Sequence, residues 1–265
     1  ERPDVDAVYM AACQAQAGNC GWPLSAFLTP EGKPFFTGTY FPPADDPRRG
    51  PGFLPICEKV VKFWAESRAN LVEQANRFAE DLKRRAAPPR EGAPLKPEVL
   101  REAFETFQRS YDDALGGFGR APKFPRTSAL DFLLRHAATK EARADGSAAV
   151  ATRMVTGTLD ALLRGGIRDH LAGGFHRYST DRRWLIPHFE KMLYDQALIA
   201  RTLADAWRVT GTEAYRQAAR DTLDYVLGRM SSPDGGFYSA EDADTQGVEG
   251  KTYSWTRSEI LDVLG

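Results

Sequence analysis

A mixed α/β segment followed by an all-α segment is the fold class that this 265-residue chain predicts. Three observations predict it. A proline-rich break, Ala86-Ala-Pro-Pro-Arg-Glu-Gly-Ala-Pro-Leu-Lys-Pro97, separates 1–85 from 98–265, and such a composition makes a stiff, extended connector. Ahead of the break, two short β-type runs flank a turn. Behind it, apolar residues recur at helical spacing, and Gly-Gly-Phe occurs at 116–118, 173–175 and 235–237, its starts 57 and then 62 residues apart. A period of that length, one helical hairpin each, fits an array of helix pairs.

The elements follow in order. Pro3 to Gln16 predicts a helix with Val5, Val8, Tyr9 and Ala12 on one face. Leu24 to Thr29 predicts a strand, Pro30-Glu-Gly-Lys33 a turn, and Pro34 to Gly38 a second, antiparallel strand. An aromatic before proline, as at Trp22–Pro23, raises the cis population. After a Pro/Gly-rich loop from Tyr40 to Gly52, a long amphipathic helix covers about Leu54 to Lys83, broken near Ser67. Beyond the connector, helices are predicted at Glu98–Tyr111 with Leu100, Phe104 and Phe107 together, and at Ser128–Thr139 with Leu130, Leu133 and Leu134. Two more are predicted at Ala148–Arg164, with Val150, Met154, Leu159 and Leu162, and at Thr212–Met230, with Tyr215, Ala219, Leu223, Val226 and Met230. Another starts at Pro187, a residue suited to a first helical turn, and carries Phe189, Met192, Leu193, Gln196, Ile199, Leu203 and Trp207 on one stripe.

Composition excludes several functions. A formal net charge of −1 gives no electrostatic reason to bind nucleic acid or an anionic membrane. No apolar run approaches the ~18 residues of a membrane span, and a cytoplasmic location is expected. Cys13, Cys20 and Cys57 lack any C-x-x-C spacing and predict free thiols in a reducing compartment. The abrupt start at Glu1, without methionine, reads as a fragment.

Gly21-Trp-Pro23 before a strand, followed by a turn and a second strand, resembles the back half of a thioredoxin fold, and that resemblance implies a cis Trp22–Pro23 bond. Further segments carry a closer resemblance: Gly38-Thr-Tyr-Phe-Pro-Pro43, Gly116-Gly-Phe-Gly-Arg-Ala-Pro-Lys-Phe-Pro125, Gly173-Gly-Phe-His-Arg-Tyr-Ser179, Pro187-His-Phe-Glu-Lys-Met-Leu-Tyr-Asp-Gln196 and Tyr238-Ser-Ala-Glu-Asp-Ala-Asp244. Together they resemble the thioredoxin-like plus six-hairpin-glycosidase-like family typified by spermatogenesis-associated protein 20. That resemblance implies a partial thioredoxin-like domain over 1–85, a linker over 86–97 and a partial (α/α)6 toroid over 98–265. It also implies a thiol motif in a preceding segment, so redox chemistry would not rest on Cys13, Cys20 or Cys57. An open toroid would leave apolar helix faces exposed.

The chemistry is expected around Arg183 to Gln196 and the loop before it. His170, His176 and His188 lie within nineteen residues, and a histidine pair suits proton transfer beside a sugar carbonyl near neutral pH. His188, two residues into its helix, would be a neutral base at the positive helix end, with Glu190 orienting it. His176, His188, Glu190, Asp242 and Asp244 are therefore the candidate catalytic residues, converging on one cavity. Tyr178 and Trp184 are candidate sugar platforms, with Asp195 and Glu241 as substrate ligands. Glycoside hydrolysis by two facing carboxyl groups is the competing chemistry. His136 is expected to sit idle on an exposed helix end. No metal and no cofactor is predicted, since His188-x-Glu190 is not a diagnostic ligand spacing. The partner class is carbohydrate. The alternative is a redox-linked or client-binding scaffold with a non-catalytic toroid.

Overall fold

The computed structural model describes residues 2–18, 20–47, 50–86 and 96–265, so Glu1 and most of the proline-rich connector (87–95) lie outside the described residues. The chain forms two compact units, Glu1–Pro94 and Leu95–Gly265.

The first unit opens with α1 (Pro3–Ala17), which has Pro3 in its first turn and Asp4 and Asp6 beside its N–H groups. Gly18, at φ 75°, ends it by donating its N–H to Gln14 O. Position 18 needs that left-handed conformation, which glycine adopts without a Cβ penalty. Strands β1 (Ser25–Leu28) and β2 (Pro34–Gly38) pair antiparallel, with Phe27 opposite Phe36 and an irregularity at Leu28. The Trp22–Pro23 bond is cis. Helix α2 (Phe53–Ala86) loses helical geometry at Ser67, where φ is −139°. Tyr9 donates to Gly32 O at 3.0 Å and Lys33 Nζ to Asn76 Oδ1 at 2.6 Å, tying both helices to the turn.

Two expectations are corrected here. Of the residues expected together on α1, Val5 and Val8 are exposed, and the helix buries Ala12 with Cys13. Nor are all the cysteines free. Cys13 and Cys20 form a disulfide with Cα atoms 5.9 Å apart, a separation typical of such bridges. Gly18 turns the chain back on itself between them, which the seven-residue spacing alone does not reveal. Cys57 is free.

The second unit is built from α3 (Glu98–Ser110), α4 (Thr127–Ala137), the short α5 (Lys140–Asp145), α6 (Ser147–Arg164), α7 (Leu193–Thr210), α8 (Glu213–Tyr225) and α9 (Arg257–Leu264). Helix α4 packs on α6 and α7, and α7 packs on α8. Leu130, Leu133, Met154, Leu159, Leu162, Ile199, Leu203 and Tyr215 form the core between them. The turn after α8, Val226–Met230, is wound as a π-helix. Leu100 and Leu223 are exposed instead of joining the core stripes expected of them, as are Ile260, Leu261, Val263 and Leu264 of α9. Among the described residues, no helix is long and apolar enough to cross a membrane.

Short strands join the loops: β3 (Tyr178–Ser179) with β4 (Pro187–His188), β5 (Lys191–Met192) with β6 (Ala240–Glu241), and β7 (Asp244–Thr245) with β8 (Val248–Glu249). The helix expected from Pro187 therefore begins only at Leu193. Pro187 lies opposite Ser179, whose own N–H and C=O are both used by the backbone of Lys123, at 2.8 and 2.9 Å. The missing N–H of Pro187 is no loss in that position.

Candidate functional site

The Gly-Gly-Phe loops set the frame. In the first, Asp112 N–H donates to Gly117 O and Gly116 N–H to Asp112 O; in the second, Asp169 and Gly174, then Gly173 and Asp169, repeat the pattern. All four glycines have positive φ, between 68° and 86°, and each loop closes with a bridge, Tyr111 to Phe118 or Arg168 to Phe175. Into each loop a lysine is buried. Lys123 Nζ donates to Asp112 Oδ2 at 2.8 Å and Gly116 O at 2.7 Å. Lys191 Nζ donates to Asp169 Oδ2 at 2.7 Å and Gly173 O at 3.0 Å. These lysines are 0% and 1% exposed, so each is held by a charge-assisted hydrogen bond inside the fold. The third loop has Ser232 in place of the aspartate.

The site grows from the second loop. His176 directly follows Phe175; it is buried, with Nδ1 3.0 Å from Phe189 O and its ring edge-on to Phe189 and Tyr253. Burial, reinforced by the nearby Lys191 charge, pushes its pKa down to about 4, so it is neutral near pH 7. Antiparallel pairing sets His188 opposite Tyr178, and the two rings stack at 5.0 Å with Phe124 beyond at 4.8 Å. His188 Nδ1 is 2.7 Å from Glu249 Oε1, and its Nε2 is 3.8 Å from Glu190 Oε2. An ionised carboxylate can only accept, so Nδ1 carries a proton, and in neutral His188 the Nε2 lone pair is free to act as a base.

Glu190 Oε2 accepts from Arg177 Nη1 at 2.9 Å. Asp195 lies in the first turn of α7, its Oδ2 buried without a hydrogen-bond partner. Burial pushes its pKa up to about 7; Arg177 opposes that rise and Glu190 adds to it. The cluster thus couples a half-buried imidazole to two carboxyl groups and one guanidinium.

Other candidates fall elsewhere. Trp184 is 1% exposed, its Nε1 donating to Leu115 O at 3.1 Å; it is a core side chain, because the loop turns it inward at φ 65°, and it offers no sugar platform. Asp242 and Asp244 are exposed, and Asp242 Oδ1 accepts the Asp244 N–H at 3.0 Å in a local turn. The acid from this segment that reaches a histidine is Glu249. Glu241 lies 3.8 Å from Arg229 and helps burial to push the Tyr225 hydroxyl pKa upward. His170 bonds to Gly165 O at 3.0 Å. His136 is not idle: it stacks on Phe104 at 4.5 Å and bonds Ser147 Oγ at 2.9 Å, joining α4 to the start of α6. The lost helix start also removes the helix-end argument for His188. Among the described residues, no three His, Cys, Asp or Glu side chains gather as a metal site would require.

Glu249, Arg177 and the two buried lysines were missed by reading single residues. A repeated pattern marks the lysines: Asp-x-x-x-Gly-Gly-Phe, then Lys123 four residues before Thr127-Ser-Ala-Leu130, and Lys191 four before Asp195-Gln-Ala-Leu198.

Residues 1–83 match the family model Thioredox_DsbH, described as a protein of unknown function, DUF255. The whole chain is 41% identical over 273 residues to spermatogenesis-associated protein 20 of Homo sapiens, covering 34% of that protein. It is 39% identical over 274 residues to an uncharacterized protein of Caenorhabditis elegans, covering 37% of it. The chain thus spans about a third of the length of the curated relatives it matches. Among solved structures, a sugar epimerase from a ruminal bacterium overlaps 60% of this chain and 43% of its own, with a TM-score of 0.45 at 14% identity. A D-mannose isomerase overlaps 64% and 44%, with a TM-score of 0.45 at 15% identity.

Proposed function

From a chain related end to end to the spermatogenesis-associated protein 20 family, with a thioredoxin-like first unit, we propose that the helical unit carries a proton-transfer site for carbohydrate. His188 Nε2 is the base. The observation that carries this reading is the 2.7 Å contact between His188 Nδ1 and Glu249, which fixes the tautomer and leaves the other nitrogen to accept a proton. The carbohydrate class comes from the six-hairpin-glycosidase-like resemblance, and the adjoining Phe124 and Tyr178 rings, tilted to each other, supply an aromatic wall beside the imidazole. Removing a proton next to a sugar carbonyl and returning it to the other face is epimerisation.

Hydrolysis is the second reading, favoured by one observation. Burial, with a smaller contribution from Glu190, raises the Asp195 pKa to about 7, giving the acid-plus-carboxylate combination that glycoside cleavage uses. One experiment separates the two. Reducing sugars incubated with the full-length protein in D2O should gain deuterium at the carbon beside the carbonyl. His188→Ala should reduce that exchange by ~100-fold or more with the melting temperature nearly unchanged. Release of reducing ends without deuterium uptake would favour hydrolysis, and undiminished exchange in the variant would remove His188 from the chemistry.

A further inference from the structure

A cleft of about 380 Å3 opens beside the first Gly-Gly-Phe loop, lined by Tyr111, Leu115, Gly157, Arg164, Arg183 and Leu185 among others. That volume lies within the ~300–1,000 Å3 typical of small-molecule sites. Its floor is rigid: a Cβ on Gly116 would lie 2.6 Å from Gly157 O, and one on Gly157 would collide with the Tyr111 hydroxyl.

Among the residues that line the cleft, Asp113 is the one acid against two arginines, Arg164 and Arg183; Asp160 and Asp181 lie outside the lining. Asp113 pairs with Arg153 at 3.5 Å. Asp160, one helical turn before Arg164, accepts the Tyr215 hydroxyl at 2.8 Å. Asp181 accepts N–H groups of its own loop, from Leu185 at 3.2 Å and Ile186 at 2.6 Å. Arg164 and Arg183 have no ion pair among the described residues. The carbonyl end of α6 opposes an anion with about half a unit charge. Two guanidinium charges outweigh it.

We propose that this cleft binds a small phosphomonoester of hexose-phosphate size. Arg164 and Arg183 take the phosphate, whose oxygens match the planar guanidinium fork. The Tyr111 hydroxyl is a further donor, and Leu115 and Leu185 are the apolar walls. The inference does not rest on the role of His188.

Titration calorimetry on the full-length protein tests it, with glucose 6-phosphate, glucose and inorganic phosphate as probes. Glucose 6-phosphate should bind saturably and more weakly as salt rises, while glucose should not saturate over the same range. Arg183→Gln and Arg164→Gln should each weaken binding at least ~10-fold, Arg183→Lys less, and His188→Ala should leave it unchanged. Both arginines are exposed, so melting temperatures should hold. Failure of glucose 6-phosphate to saturate, or equal affinity in Arg164→Gln/Arg183→Gln, would overturn the site. Equal affinity for inorganic phosphate would overturn the sugar-phosphate assignment.

Discussion

The first and second Gly-Gly-Phe loops hold their lysines alike, on an aspartate and a glycine carbonyl, but they differ in what surrounds the aspartate. Asp112 is also gripped by Arg182, at 2.7 and 3.0 Å. Burial would raise its pKa, but Arg182 and Lys123 more than offset that and hold it at about 2. Among the described residues Asp169 has no second cation, and it accepts the N–H groups of Leu171 and Ala172 instead, both at 2.9 Å. The chain between phenylalanine and lysine differs as well. Gly119–Pro122 fills it in the first loop, whereas His176–Glu190 fills it in the second. The shared part is scaffold, and the candidate chemistry occupies the longer segment.

The largest test of this comparison removes each lysine in the full-length protein. Breaking a buried pair leaves an uncompensated charge and costs about 3–5 kcal/mol. Lys191→Met should pay that in full, while Lys123→Met should cost less, because Arg182 stays on Asp112. Urea denaturation measures both, and a larger loss for Lys123→Met would break the comparison.

Next in size is a pH effect found only at the second loop. His176 titrates at about 4 against an ordinary 6.5, so the unfolded chain binds more protons between those values and stability falls on acidification. The shift corresponds to roughly 3 kcal/mol across that window. Asp195 has the opposite sign: raised from 3.8 to about 7, it makes stability fall as pH rises through the same range. The two slopes should nearly cancel. His176→Phe should therefore give a protein whose stability declines from pH 4 to 7, and Asp195→Asn one whose stability increases. Melting temperatures across that range check both, and parallel profiles for the two variants would show the groups are not opposed.

The smallest effect belongs to Arg182, which is mostly exposed. Asp112 contributes stability above its ordinary pKa of 3.8 that is lost as pH falls through about 2. Arg182→Gln should bring that loss on at a higher pH. An unchanged acid-unfolding midpoint would mean that Lys123 alone sets the Asp112 pKa.

Elements with one strong local signal were legible in the sequence. The span from Pro3 and the turn at Pro30–Lys33 marked α1 and the hairpin, and Leu130, Leu133 and Leu134 marked the buried face of α4. Pro187 was ambiguous, because a residue without an N–H suits a first helical turn and an unpaired strand position equally. The partner of His188 was out of reach for another reason: Glu249 follows it by 61 residues, and no periodicity reports a contact made by two loops. A lone lysine usually reads as solvated. Lys123 and Lys191 became informative only when aligned with each other behind the same glycine loop.

The first and second loops are each capped by an aromatic ring from later in the chain. A Cβ on Gly117 would lie 2.5 Å from the Trp184 ring, and one on Gly174 would lie 2.6 Å from Tyr225. Those rings also stand 5.4 and 4.4 Å from the lysine nitrogens. The loops therefore overlap like roof tiles, each sealed by the hairpin after it. During synthesis at ~5–20 residues per second, Trp184 would emerge roughly 3 to 13 s after Gly117. Through that interval Lys123 would stay wet, and the unit would close from its first loop toward its last.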